Sequence, residues 1–337
     1  MSKSVWLRSG LHIFLASLLV SSVTYTYVWQ QLIYKPLKLT EAAYTFEIAP
    51  GSTLKQFTQQ LHQAGILAHP KLLNCLAMLN GSANHIKAGE YTIGRGMTAK
   101  QLLKQVVAGQ VTQYAFTIVE GWRAADLIAA LQQHPKIEFS LNGLSEKEII
   151  NKLGITVNHL EGMFLPDTYY FTAHTKDVDF LRRAHFNLQE KLQAAWQQRA
   201  PDSILSNPYQ ALILASIIEK ESGVKTEYHE ISGVFQRRLT KHMRLQADPT
   251  VIYALGDKYK GTILKSHLQL KSPYNTYVSN GLPPTPIAMP GLRAIEAALH
   301  PAAGDSLYFV ATGDGGHVFT KDLVAHNKAV QKLREKR

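Results

Sequence analysis

The densest chemistry in the chain is the run Glu219-Lys220-Glu221-Ser222-Gly223. It closes residues 211–218, which contain only Ala, Leu, Ile and Ser. Such a stretch reads as a buried helix, and Gly223 suits the position just past its end. Acidic residues normally avoid a helix C-terminus, where the macrodipole is negative, and they are seldom buried without a partner. At ~100° per residue the two glutamates stand about 200° apart and cannot act as a carboxylate pair on one substrate. Glu221 projects with Leu214 and Ile217, and Glu219 with Leu212, Ala215 and Ser216. Desolvation on the greasier face and the helix end both raise the carboxyl pKa of Glu221, as a general acid working near neutral pH requires. Glu219 then reads as a structural or orienting group. The opposing reading makes both glutamates helix-end surface charges neutralised by Lys220.

Further polar groups follow downstream. Residues 243–253 carry Gln246, Asp248 and Thr250, and Asp248-Pro249-Thr250 before an apolar run reads as a loop entering a helix. Tyr274, Asn275, Thr276 and Tyr277 come next, and then a Pro- and Gly-rich run, residues 281–291. Rigid loops of this kind present amide, hydroxyl and aromatic groups, which is how sugars are held. Proline density alone also fits a plain turn-rich connection. Asp248 is the one carboxylate in these loops that could turn a single-glutamate site into a two-carboxylate one. The run His229-Glu230-Ile231-Ser232-Gly233 opens like a zinc-protease motif but has glycine where the second histidine must stand. There is no Gly-x-Ser-x-Gly elbow. No metal and no cofactor is expected.

The elements that must position these groups are readable in outline. A long amphipathic helix is expected over residues 178–199, ahead of the glutamate helix. The first half repeats one pattern three times: an aromatic, one residue, Ile, and glycine three residues later. It occurs at Phe46/Ile48/Gly51, Tyr91/Ile93/Gly96 and Phe116/Ile118/Gly121, each followed by apolar residues at helical spacing. Period-2 alternation, a turn glycine and then a 3.6-period run predict β–turn–α units, with Thr53 and Thr98 as helix caps. The pattern resembles LysM-type modules, which bind N-acetylated glycans. Residues 135–160 read as a connector with a short helix starting at Ser145, three residues before Glu148.

Lys and Arg outnumber Asp and Glu by 36 to 25, a net charge of +11. That favours polyanions or anionic membranes without choosing among them. The single cysteine, Cys75, excludes an intramolecular disulfide and a four-cysteine zinc site, and its apolar surroundings suggest a buried small hydrophobe. Lys3 and Arg8 precede an apolar run, residues 11–29, that ends in Tyr25, Tyr27 and Trp29. Its length suits a membrane span of ~20 residues with an aromatic boundary. A cleaved signal peptide ending near Ser22 is the other reading, which the span length disfavours. The charges lean towards an N-terminus inside, with the rest exported. A membrane segment argues against a nucleic-acid partner.

Taken in order, these motifs resemble the bacterial YceG-like endolytic murein transglycosylases along nearly the whole chain. The resemblance runs through the anchor, the LysM-like region with residues 87–91, Glu161-Gly162 to Pro166-Asp167-Thr168-Tyr169, and residues 215–221. It continues through residues 244–253, 274–277 and 281–284, His300-Pro301, residues 315–319 and His326-Asn327. The family's essential glutamate falls on Glu221, and Glu221-Ser222 is similar to the Glu-Ser pair of lysozyme-like transglycosylases. The resemblance implies an α+β protein with a cytoplasmic tail (1–10), a transmembrane helix (11–29), a LysM-like β/α region (42–134), a connector (135–160) and a mixed α+β, lysozyme-like catalytic domain (161–337). It implies lysis of the MurNAc–GlcNAc β-1,4 bond of nascent peptidoglycan with 1,6-anhydro ends, terminating strand elongation. Glu221 is the implied catalytic group, with Glu219, Ser222, Gln246, Asp248, Thr250 and residues 274–277 supporting it or binding substrate. The inner membrane, a periplasmic catalytic domain and the penicillin-binding synthases are the implied setting and partners. The competing classes are a non-catalytic LysM-type wall-binding scaffold and a two-carboxylate muramidase.

Overall fold

Helix α1 (Lys3–Trp29) opens the chain in the computed structural model, which describes residues 3–313 and 315–335. Side chains 12–27 are all exposed, although most are apolar. The stretch His12–Tyr34 is long and apolar enough to cross a membrane. Its polar interruptions turn inward on the backbone. Ser17 donates to the Phe14 carbonyl, Thr24 to Val20 and Thr26 to Ser22, at 2.8–2.9 Å, so each hydroxyl is satisfied within the helix. The terminal amine lies outside the described residues, as do the side chains of Lys3 and Arg8, so the charge asymmetry stays an expectation.

The chain divides into two units, residues 1–114 and 115–337. In the first, the helix widens into a π-turn over Gln30–Tyr34 that carries Leu32 into the core, and Pro36 prevents its continuation. Then come β1 (Ala43–Ile48), α2 (Leu54–Gln63), α3 (Pro70–Leu79), β2 (Gly89–Gly94) and α4 (Ala99–Ala108). Strands β1 and β2 pair antiparallel with Phe46 opposite Tyr91, and the Phe46 ring stacks between Phe57 and Tyr91 at 5.8 and 6.0 Å. The repeated turn glycines adopt φ +79° at Gly51, +85° at Gly96 and +78° at Gly121, a region closed to most side chains. Thr53 and Thr98 cap α2 and α4, each with a glutamine three residues on that closes the capping box. Cys75 does not follow expectation: it is exposed. Helix α3 buries Leu73 and Ala77, and a residue two positions from each points the other way.

Strand β3 (Gln113–Thr117) leads into the second unit, where it pairs with β5 (Thr168–Thr172). The third strand–turn–helix repeat, with α5 (Ala124–Gln133), therefore lies in the second unit, which begins at residue 115. The stretch expected as a connector holds β4 (Ile137–Glu138) and α6 (Glu146–Leu153), the latter capped by Ser145 with Glu148. Strand β4 runs parallel to β6 (Thr175–Lys176). Helices α7 (Asp177–Gln197), α8 (Pro208–Glu221), α9 (Tyr228–Thr240), α10 (Asp248–Leu255) and α11 (Leu292–Leu299) follow. The hairpin β7 (Tyr308–Ala311) and β8 (His317–Thr320) and then α12 (Leu323–Glu335) end the described fold. Helix α8 is buried on every side from Ala211 to Ile218, the signature of a central helix, and α7, α9, α10 and α11 surround it.

Asp177 shows how tightly this unit is tied. It is fully buried at the start of α7, and its carboxylate accepts the Ser140 and Leu141 N–H groups at 2.6 and 3.0 Å and the Ser140 hydroxyl at 2.8 Å. Asp177→Ala strands these donors and should cost about 3 kcal/mol or more. Chemical denaturation measures it, and a loss under about 1 kcal/mol would show that water or side chains replace the carboxylate.

Candidate functional site

Glu221 is the last residue of α8, and Ser222 ends the helix in an extended conformation. Gly223 stands just past the end, as expected, but without the left-handed backbone that glycine often supplies there. The two glutamates separate as the helical angles require. Glu219 is fully engaged: Tyr228 Oη donates to its Oε1 at 3.0 Å and the Gly291 N–H to its Oε2 at 2.9 Å. Burial still pushes its carboxyl pKa above the ordinary value. Lys220 donates to the Gly121 carbonyl at 3.3 Å rather than neutralising either glutamate.

Glu221 has no such partners. Its Oε2 is sealed from solvent, and nothing among the described residues hydrogen-bonds to it. An ionised carboxylate without a partner costs several kcal/mol to bury, far more than the protonated acid. Burial accordingly raises its pKa, the charge of Asp248 raises it further and the Arg238 guanidinium opposes both, with the balance at about 8. Glu221 is thus a protonated acid at neutral pH, able to give up its proton when a stronger base is created beside it.

Around it opens a cleft of about 230 Å³ lined by Glu221, Arg238, Leu245, Gln246, Asp248, Tyr277, Phe309, Ala311 and His317. Each wall is held from behind. Asp248, at the first turn of α10, accepts the Tyr277 hydroxyl at 2.6 Å. Burial and then that hydrogen bond push the Tyr277 pKa upward. Gln246 adopts φ +51°, unusual for a side-chain-bearing residue, and donates its N–H to the Thr276 carbonyl at 3.2 Å. Thr276 Oγ1 accepts the Ala247 N–H at 3.0 Å and meets Thr250 Oγ1 at 2.8 Å. Asn275 donates to the Leu268 and Leu270 carbonyls at 3.1 and 2.8 Å and accepts the Tyr277 N–H at 3.0 Å. Thr250, Asn275 and Thr276 are buried and clamp the loops. Tyr274 lies apart from the cleft, its ring 4.9 Å from Tyr253 and its hydroxyl 3.0 Å from Thr285 Oγ1.

Three groups escaped the sequence reading. Arg238 on α9 is buried and gives its guanidinium to the carbonyls of Leu307, Leu245 and Arg244 at 2.6, 2.7 and 3.3 Å. Nothing in the run Arg237-Arg238 marks one of the pair as buried. Glu227 accepts the His317 backbone N–H at 2.9 Å and lies 2.7 Å from His317 Nδ1. Ser222 Oγ reaches the same carboxylate at 3.5 Å and accepts the Val224 N–H at 2.9 Å. The signal available for His317 was its place in the Gly315-to-Phe319 motif.

The YceG-like family model matches residues 46–332. The chain belongs to that family. This YceG-like chain is 32% identical over 313 residues to a Bacillus subtilis protein named endolytic murein transglycosylase, an alignment covering 88% of this chain and 86% of that one. It is 27% identical over 329 residues to a Streptococcus pneumoniae protein of the same name, of which it spans 59%. A crystal structure of a YceG-like protein from Listeria monocytogenes superposes with a TM-score of 0.50 at 28% identity, covering 85% of this chain and 98% of that one.

The raised acid has a thermodynamic signature. The folded state keeps the Glu221 proton between about pH 4.5 and 8 where the unfolded chain releases it, so wild-type stability falls with rising pH across that window. Glu221→Gln removes this dependence. The variant should match wild type near pH 5 and melt higher by on the order of 5 °C at pH 9. Calorimetry of the detergent-solubilised chain measures it, and a melting difference that does not change with pH would contradict a buried, unpartnered acid.

Proposed function

We propose that this YceG-like protein is an endolytic murein transglycosylase that cuts peptidoglycan glycan strands with Glu221 as its acid. One observation carries the reading: a carboxyl oxygen sealed from solvent, without a hydrogen-bond partner, at the end of a buried helix and facing a polar cleft. The names of the Bacillus and Streptococcus relatives support it. Glu221 protonates the leaving glycosidic oxygen between MurNAc and GlcNAc. The C6 hydroxyl of MurNAc then closes onto C1 as its own proton leaves, giving a 1,6-anhydro end without water. A retaining or inverting hydrolase needs two carboxylates flanking the bond. Asp248 shares the cleft, which favours a muramidase as the second reading. Asp248 instead serves here as a fixed anion, oriented by Tyr277, that stabilises positive charge at C1.

The same reading extends to the rest of the chain. Helix α1 anchors the protein in the inner membrane with residues beyond Tyr34 in the periplasm, beside the peptidoglycan synthases whose nascent strands it shortens. The β1-α2-α3-β2 core of the first unit is a LysM-like glycan-binding module, supported by its repeated strand–turn–helix construction.

Product chemistry on purified glycan tests the catalytic part. Wild type should yield anhydro-ended muropeptides, and Glu221→Gln should lose at least ~10²-fold in rate because acid–base catalysis is removed while shape is kept. Asp248→Asn should retain measurable anhydro product. Reducing-end products from wild type, abolished by Asp248→Asn, would establish the muramidase instead. Amino-terminal sequencing of the membrane-extracted protein tests the anchor: a mature chain beginning near Val23 would rule it out.

A further inference from the structure

Helix α9, the turn before it and the β7–β8 hairpin bring a second proton-handling group to the cleft. The His317 side chain is nearly buried, with its Nδ1 2.7 Å from Glu227 Oε2. A carboxylate at that distance accepts the Nδ1 proton and so fixes the tautomer, leaving Nε2 with its lone pair. Nε2 has no protein partner among the described residues. The ring is held edge-on to Phe309 at 5.3 Å, and Glu227 is pinned by the His317 backbone N–H and by Ser222, the residue next to Glu221. A base oriented by a carboxylate, which is itself held in place, is the arrangement proton abstraction requires. His317 and Glu221 line the same cleft.

We propose that His317 is a catalytic residue of the reaction: it takes the proton of the MurNAc C6 hydroxyl, with Glu227 as its positioning residue, so that acid and base are two side chains rather than Glu221 alone. This rests on the transglycosylase reading. As the C1–O4 bond breaks, the Glu221 proton passes to O4 of the departing GlcNAc. The C6 O–H bond breaks, its proton goes to His317 Nε2, and the freed O6 electron pair forms the O6–C1 bond. The imidazolium is balanced by Glu227. The cycle closes when its proton returns through solvent to the Glu221 carboxylate. Nothing is oxidised or reduced, and no water is consumed.

The test compares wild type, His317→Ala, His317→Gln and Glu227→Gln as full-length protein in detergent, on purified glycan, with thermal melts to confirm folding and mass spectrometry of the ends. His317→Gln keeps a hydrogen bond to Glu227 but cannot take up a proton, so it guards against a variant that merely misfolds. Both His317 variants should lose ~10²-fold or more in kcat with little change in KM. Added imidazole should restore His317→Ala and leave His317→Gln unchanged, and Glu227→Gln should lose about tenfold or more. A purely structural histidine gives no imidazole rescue. Anhydro ends from both His317 variants at rates within about threefold of wild type, or a folded His317→Ala that imidazole does not rescue, would overturn the assignment and leave Glu221 with both steps. Absence of anhydro ends from wild type would sink the transglycosylase reading itself.

Discussion

A carboxyl group at the edge of a cleft, with one oxygen sealed from water and without a hydrogen-bond partner among the described residues, is the constraint around which the second unit is built. Three influences meet at Glu221, and their order decides its protonation. Burial comes first and favours the neutral acid, the Asp248 charge adds to it, and the Arg238 guanidinium subtracts. Arg238 could have undone the effect, because a free guanidinium can hold a carboxylate bidentately and drive its pKa down. Instead its Nε and Nη1 are committed to three backbone carbonyls. It contributes charge to the cleft without supplying the hydrogen bonds that would ionise the acid.

Desolvating one glutamate while satisfying another two residues away depends on α8 being apolar all round. Its turns from Ala211 to Ile218 are sealed by neighbouring helices, so whatever follows at its C-terminus emerges inside the molecule. On one face Tyr228 and the Gly291 N–H meet Glu219; on the other, nothing among the described residues hydrogen-bonds to Glu221 Oε2. The Gly291 contact ties the end of α8 to the entry of α11 and so fixes the depth at which Glu221 sits. A misplacement of about 1 Å is enough to lose much of a catalytic advantage, which makes Glu219 important to the site without touching it.

What could be read from the residues, and what could not, divides along sequence distance. The opposite facing of Glu219 and Glu221 follows from helical angles, and both hydrogen-bonding outcomes agree with it. The constant Ile-to-Gly offset anticipates three left-handed turn glycines, and Ser145 with Glu148 anticipates the start of α6. These are local facts. The Glu227–His317 contact joins residues 90 apart and exists only because the β7–β8 hairpin folds back onto α9 and the turn before it. No spacing rule reaches that far. The third strand–turn–helix repeat looks like its predecessors but leaves them, because its strand finds β5 rather than another repeat as its partner. Cys75 is exposed on α3 although its sequence neighbours are apolar, because an apolar neighbourhood does not determine which side of a helix is covered.

The loops opposite Glu221 show why so many polar residues near the site touch no cleft. Asn275, Thr276 and Thr250 spend their hydrogen-bonding capacity on carbonyls, N–H groups and one another, and the left-handed conformation of Gln246 is held by Thr276. Such a conformation costs roughly 1–3 kcal/mol and persists only where its surroundings over-determine it. Here it turns the chain so that Gln246 and Asp248 both face the cleft across from Glu221. A flexible loop could bring the same groups to a sugar, but each would then have to be ordered during the reaction. With the loop clamped in advance, Gln246 and Asp248 are already fixed in the cleft, and a charge that develops beside a preorganised group is stabilised without reorganisation.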